Sequence, residues 1–244
     1  VIALISFHRA IEKRRAARER VGAARSWIGW TVLAWAAMAL GVLTKGPVAV
    51  AVPLMVAAPF ALWRRAALAV WNPLGAIVLA VVVTPWVWAV SREIPGYLHY
   101  VVVTETWARM TTDELRRTQP FWYFIPVLLA GAFPWSIVAL FGSRSRAIDL
   151  DTDRRAQRVF LWLWLVLPLV FFSLSRGKQE QYMLPLVPAI ALLVASRWSD
   201  RSRGVRIAAV LWGVLGAVMV GAAIWGPSVL ENDRVPLEIA VRTV

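Results

Sequence analysis

An all-α, polytopic transmembrane helical bundle is the fold class this sequence predicts. Three observations predict it: the composition, the apolar runs of bilayer length, and the placement of the positive charges. Of the 244 residues, 59% are hydrophobic, 17% are charged and 15 are Trp. The mean hydropathy is +0.62, whereas soluble domains hold roughly 45–50% apolar residues. Lipid is therefore the expected solvent. A net charge of +13 would in a soluble chain point to nucleic acid. Here Lys and Arg fall in short clusters between apolar runs, as positive-inside placement requires, so no nucleic-acid partner is expected. Cysteine is absent, which excludes a disulfide framework and any thiolate metal site.

A bilayer core about 30 Å thick needs about 20 apolar residues of helix. Seven runs near that length are bounded by charge or by Gly and Pro: Trp27 to Leu43, Pro47 to Trp63, Asn72 to Val90, Phe121 to Phe141, Val159 to Leu174, Met183 to Ser196 and Val205 to Trp225. Val1 to Phe7 reads as the end of an earlier span. The Met183 run is short and carries Pro185 and Pro188. A kinked or partly spanning segment is expected there, because proline removes a backbone donor.

The charges in the connections test whether these spans alternate. His8 to Arg25 holds Arg9, Lys13, Arg14, Arg15, Arg18, Arg20 and Arg25, and Arg64 and Arg65 follow the second span. Arg144, Arg146, Arg154, Arg155 and Arg158 follow the fourth, and Arg197, Arg201, Arg203 and Arg206 the sixth. Alternating spans put all of these clusters on the cytoplasmic side, as positive-inside placement requires. Thr44 to Pro47, Ser91 to Pro120, Ser175 to Tyr182 and the tail after Trp225 then share the outer face. Several Trp residues, such as Trp27, Trp30, Trp86 and Trp88, lie near span ends, as an aromatic belt explains.

Three outer connections carry candidate chemistry. In Thr44-Lys45-Gly46-Pro47, Gly46 permits a sharp turn and Pro47 suits the start of the next helix. Lys45 has apolar sequence on both sides, so it either snorkels or meets an anion. The outer loop Ser91 to Pro120 is long for a hairpin, and long structured loops are usually functional. If Pro95 to Arg109 is helical, Val101, Val102, Glu105 and Arg109 share one face, as suits a helix beside a lipid headgroup. An ordinary Glu105–Arg109 surface pair, worth under about 1 kcal/mol, explains the same spacing. The third connection places Arg176 and Lys178 beside Gly177 at a span end, where amides and cations can converge on a phosphate. Each signal is weak alone. Together they bring cations to one face of the membrane, and an anionic ligand is expected there.

Four strings, in order, resemble the later membrane half of bacterial glycosyltransferase family 39, and within it the aminoarabinose transferases, relatives of the protein mannosyltransferases. They are Leu43 to Pro47; Pro95 to Arg109; Gln119 to Tyr123 with Pro134 and Trp135; and Phe171 to Lys178 with Tyr182, Leu184, Pro185 and Pro188. The likeness covers about Gly41 to Ser196. It implies a GT-C fold, a polyprenyl-phosphate-linked sugar as donor, and transfer to a lipid, glycan or protein acceptor on the extracytoplasmic side of the bacterial inner membrane. By motif, Lys45, Arg109 and Lys178 would be phosphate ligands, Tyr182 a hydrogen-bond partner and Glu105 an organiser of its loop. Thr106 stands where these transferases commonly have His after the matching Glu. A divalent cation therefore stays open as a cofactor.

The family's general base, an Asp of the first outer loop, matches no position here, and Asp113 and Glu114 match no catalytic position. Val1 opens inside an apolar stretch. The expectation is accordingly a partial transmembrane domain at residues 1–226 with its first outer loop upstream, inactive by itself, and the start of an extracytoplasmic segment at 227–244. A transporter or flippase of polyprenyl-linked lipids would also want outer cations. It would need polar or broken helices near the midplane, where these spans carry few ionisable residues.

Overall fold

The computed structural model describes residues 1–19, 26–101, 119–133, 135–136, 152–175, 177–196 and 203–232. Among the described residues, eight helices of eight or more residues run in order: α1 (Ile2–Glu19), α2 (Trp27–Lys45), α3 (Val48–Trp63), α4 (Pro73–Glu93), α5 (Phe124–Gly131), α6 (Thr152–Leu174), α7 (Val187–Ala195) and α8 (Arg203–Asn232). Single 3₁₀ stretches at Ala67–Ala69 and Glu180–Leu186 precede α4 and α7. Among the described residues, three segments are long and apolar enough to cross a membrane: Trp27–Lys45, Ala67–Glu93 and Asp153–Leu174. Val48–Trp63, Glu180–Ala195 and Ala209–Ala223 are shorter apolar helices. The all-α membrane bundle expected from composition is what folds.

The predicted runs correspond to helices in sequence order, with informative differences at the ends. Helix α1 does not stop at Phe7 but continues to Glu19, so most of the predicted basic connection is itself helical. Its first half is apolar and buried, at Leu4, Phe7 and Ile11, and helix-forming Glu, Lys, Arg and Ala extend the same helix past the membrane edge. The run from Phe121 begins as α5 at Phe124, and 137–150 lie outside the described residues. The Met183 run is divided as its prolines predict: seven residues of 3₁₀ helix carrying Pro185, then nine residues of α7. Pro185 still finds a use for its carbonyl, which accepts a hydrogen bond from Trp164 Nε1 at 2.9 Å.

The chain divides into two compact units. The first comprises Val1–Ala132 and Arg146–Leu193, and in it α2 packs on α1, α3 and α4 while α3 packs on α6. Its larger core is built at one end from Phe7, Ile11, Trp35, Met38, Phe60, Phe160 and Trp164. Gly75 allows α4 to approach α2 there: a Cβ at that position would lie 2.2 Å from the Trp35 ring. The Trp35 indole is in turn fixed by donating to the Val70 carbonyl at 3.1 Å, and Thr31 Oγ1 donates to the Ala69 carbonyl at 2.8 Å. These bonds satisfy the carbonyls of the 3₁₀ turn that would otherwise be orphaned in an apolar surround. Asn72 then caps α4 by accepting from the Leu74 amide at 3.0 Å, with Pro73 at the first helical position. The second unit holds Phe133–Ser145 and Val194–Val244; its described part is mainly α8.

At the end of the first unit where α3 finishes and α6 begins, the charges are neutralised pairwise. Arg64 is buried, with its side chain 6% exposed, and it donates from Nε and Nη2 to the two Glu12 oxygens at 2.9 and 2.6 Å. Asp153 receives Arg15 at 3.1 Å and Arg64 at 3.5 Å, and Arg15 also meets Glu19 at 3.2 Å. Arg18 donates to the Arg65 carbonyl at 2.6 Å. Helices α1, α3 and α6 thus bring their charged ends to one side, as the charge-based topology of these three segments requires.

Candidate functional site

The opposite end of the first unit holds the candidate site. Helix α2 ends at Lys45, and Gly46 turns the chain with φ 71° and ψ −159°, a region that is essentially glycine-only. Its amide donates to the Val42 carbonyl at 2.9 Å, and Thr44 Oγ1 donates to the Gly41 carbonyl at 3.0 Å. Pro47 immediately precedes α3, and its carbonyl accepts the Val50 and Ala51 amides at 3.0 and 3.1 Å. The tight hairpin expected from Lys45-Gly46-Pro47 is formed, and Lys45 is exposed at its tip.

Lys178 lies in the short connection between α6 and the 3₁₀ stretch. Its side chain is buried, at 7% residue exposure, and Nζ donates to the Ser175 carbonyl at 2.6 Å. Among the described residues no carboxylate pairs with it. A buried ammonium answered only by a neutral carbonyl is poorly solvated, and burial accordingly lowers the Lys178 pKa below its ordinary value. An anion placed here would restore the charged form and satisfy donors that Ser175 leaves free, since an ammonium has three.

Tyr182 follows one turn of 3₁₀ helix later. Its ring stacks on Phe172 with centroids 4.8 Å apart and an interplanar angle of 25°, and lies 6.5 Å from Phe124. These rings belong to a second apolar cluster whose buried members are Val52, Phe124, Phe172, Met183 and Leu186, with Val48, Tyr123 and Tyr182 packed against it. Val48 is the first residue of α3, just after the Lys45 hairpin. One cluster therefore joins the start of α3, the start of α5, the end of α6 and the 3₁₀ stretch. The hairpin carrying Lys45 and the connection carrying Lys178 and Tyr182 sit at the same end of the unit.

Arg109, the third predicted phosphate ligand, and Glu105, the predicted organiser of its loop, lie outside the described residues, as does Arg176. Two residues to which the sequence assigns no role enter the site: Tyr123 donates from its hydroxyl to Glu180 Oε1 at 3.3 Å. This bond ties the segment before α5 to the connection after Lys178. Nothing in the spacing of residues 57 apart signals such a pair. Among the described residues no three His, Cys, Asp or Glu side chains gather as a metal site would need.

The chain has relatives among known proteins. The chain is 33% identical over 209 residues to the undecaprenyl phosphate-alpha-4-amino-4-deoxy-L-arabinose arabinosyl transferase of Erwinia tasmaniensis, covering 81% of this chain and 37% of that protein. It is 35% identical over 176 residues to such a transferase of Pseudomonas fluorescens, covering 70% of this chain and 32% of the relative. The crystal structure of ArnT from Cupriavidus metallidurans bound to undecaprenyl phosphate superposes with a TM-score of 0.60 at 28% identity, covering 91% of this chain and 40% of that one. This chain is a GT-C homologue of the aminoarabinose transferases. No family model matches it. The apo form of the same ArnT superposes with a TM-score of 0.56. This homologue thus spans well under half the length of the transferases it matches.

Proposed function

We propose that this chain forms the donor-phosphate part of a multi-pass glycosyltransferase in the bacterial inner membrane. The reaction moves a sugar from a polyprenyl-phosphate donor to a lipid, glycan or protein acceptor on the extracytoplasmic side. The observation that carries this reading is Lys178: a buried cation with a neutral carbonyl as partner, at the same end of the unit as Lys45. An acceptor hydroxyl attacks the anomeric carbon as the bond to the donor phosphate oxygen breaks, so negative charge grows on the departing polyprenyl phosphate. Lys178 and Lys45, with Arg109 from the outer loop, stabilise that charge where it develops. Tyr182 contributes a hydroxyl to the phosphate while its ring is held against Phe172, and Glu105 orders the loop that presents Arg109. These residues act on the leaving group alone; the proton of the acceptor is handled elsewhere. The ArnT of Cupriavidus metallidurans, a structural homologue, was crystallised bound to undecaprenyl phosphate, which supports the choice of a polyprenyl phosphate over other anions.

The test is the transfer rate of the protein carrying this chain, with Lys45→Ala, Arg109→Ala and Lys178→Ala at matched membrane abundance. Loss of one preorganised donor to a developing charge lowers turnover by roughly 10²–10³-fold. Effects below about fivefold in all three, the scale of surface pairs, would reject the phosphate site. A transporter or flippase would instead show movement of the intact polyprenyl lipid without sugar release.

A further inference from the structure

Helix α1 presents two faces of opposite character at its charged end. On one, Arg15 and its neighbours are matched by Glu12, Glu19 and Asp153. On the other, Arg9, Lys13 and Arg14 have no acidic partner among the described residues. They lie over indole rings instead: Arg9 and Lys13 at 5.0 and 5.7 Å from Trp30, and Arg14 at 4.4 Å from Trp27. Arg9 and Lys13 are exposed, while Arg14 Nε is buried with no hydrogen-bond partner. The sequence of the following connection, Arg20 to Arg25, adds two arginines and no acid.

From this asymmetry we propose that Arg9, Lys13 and Arg14, with Trp27 and Trp30, form a binding site for the phosphodiester headgroup of an anionic phospholipid. The proposal rests on α2 crossing a membrane, and not on the transferase reading. Trp27 and Trp30 open α2, a segment of spanning length, which sets the site at the depth of interfacial aromatics and lipid phosphates. Indole faces orient cations without neutralising them. The guanidinium of Arg14, partly desolvated and short of one acceptor, gains more from a phosphate oxygen than a hydrated surface cation does. An acidic protein segment would answer the same charges, but the aromatic depth favours a lipid.

The experiment titrates the purified 244-residue chain in zwitterionic micelles with phosphatidylglycerol, phosphatidylcholine or inorganic phosphate, counting bound lipid by native mass spectrometry. Phosphatidylglycerol should bind in preference to phosphatidylcholine, and millimolar inorganic phosphate should not displace it. The triple variant Arg9→Gln, Lys13→Gln, Arg14→Gln should weaken phosphatidylglycerol binding by about a hundredfold, at about fivefold for each cation near a lipid surface. The double variant Arg9→Gln, Lys13→Gln touches only exposed side chains and should weaken it about twenty-fivefold with the fold intact. A control with the same charge change, Arg154→Gln, Arg155→Gln, Arg158→Gln, should leave it within about threefold, since none of these three belongs to the site. No preference between the two lipids, full competition by inorganic phosphate, or equal loss in the control would each overturn the site.

Discussion

Removing Arg64 tests whether the charged end of the bundle is a structural joint. Its side chain is 6% exposed and makes a two-pronged contact with Glu12 at 2.9 and 2.6 Å. Breaking one partner of a buried pair costs about 3–5 kcal/mol, because the survivor keeps an unanswered charge. Glu12, however, remains 27% exposed and has Arg15 at 3.9 Å, so water and Arg15 recover part of that loss. Arg64→Ala should therefore destabilise the chain by about 2–3 kcal/mol, below the range for a fully buried pair. Glu12→Ala should cost a similar amount although Glu12 is the more exposed partner, since the more deeply buried guanidinium loses its two-pronged contact and keeps only Asp153 at 3.5 Å. The double variant should give a coupling energy of about 1.5–2 kcal/mol, as expected for contacting residues. Helical signal against SDS mole fraction in mixed micelles reads all three. Coupling below about 0.5 kcal/mol, the scale of independent sites, would refute the joint.

Two further outcomes follow from the site and the topology. Burial lowers the Lys178 pKa, so its charged form, and with it donor binding, should be lost as pH rises through that lowered value, below the ordinary lysine value of about 10.4. The free protein should gain stability over the same window, because folding disfavours the protonated Lys178; Lys178→Arg, which stays charged, should remove the alkaline loss of donor binding. Arg116→Cys, in a chain with no native cysteine, should react with an impermeant thiol reagent from the outer side. Labelling from the cytoplasmic side alone would reject the alternation of spans.

Much of the fold was legible because it rests on one-dimensional signals. Apolar length and charge clusters placed α2, α3, α4 and α6, and Gly46 and Pro47 marked their hairpin within one residue. Pro185 and Pro188 foretold a broken segment, since a missing donor acts wherever it falls. What escaped depends on how helices rotate against one another. In the sequence Arg64 is one more cation of a basic cluster; only the rotation of α3 against α1 makes it a buried partner of Glu12. Likewise Tyr123 and Glu180 meet because α5 and the 3₁₀ stretch share a core around Phe124. Lys178 was legible as a candidate, but its burial was not, because Ser175 and Gly177 carry no hydrophobic signal.

The 3₁₀ stretch before α7 changes how far the chain reaches. Sixteen residues from Glu180 to Ala195 would rise about 24 Å as α-helix, short of a hydrocarbon core of about 30 Å. Seven of them are wound more tightly, and a 3₁₀ helix climbs about 2.0 Å per residue where an α-helix climbs about 1.5 Å. The segment therefore extends to about 27 Å without one added residue. Replacing Pro185 and Pro188 by Ala would favour relaxation to uniform α-helix, drawing the Tyr182 end inward by about 3 Å. That is more than half a helical turn, enough to pull Tyr182 off Phe172 while the apolar run from Met183 onward keeps its composition.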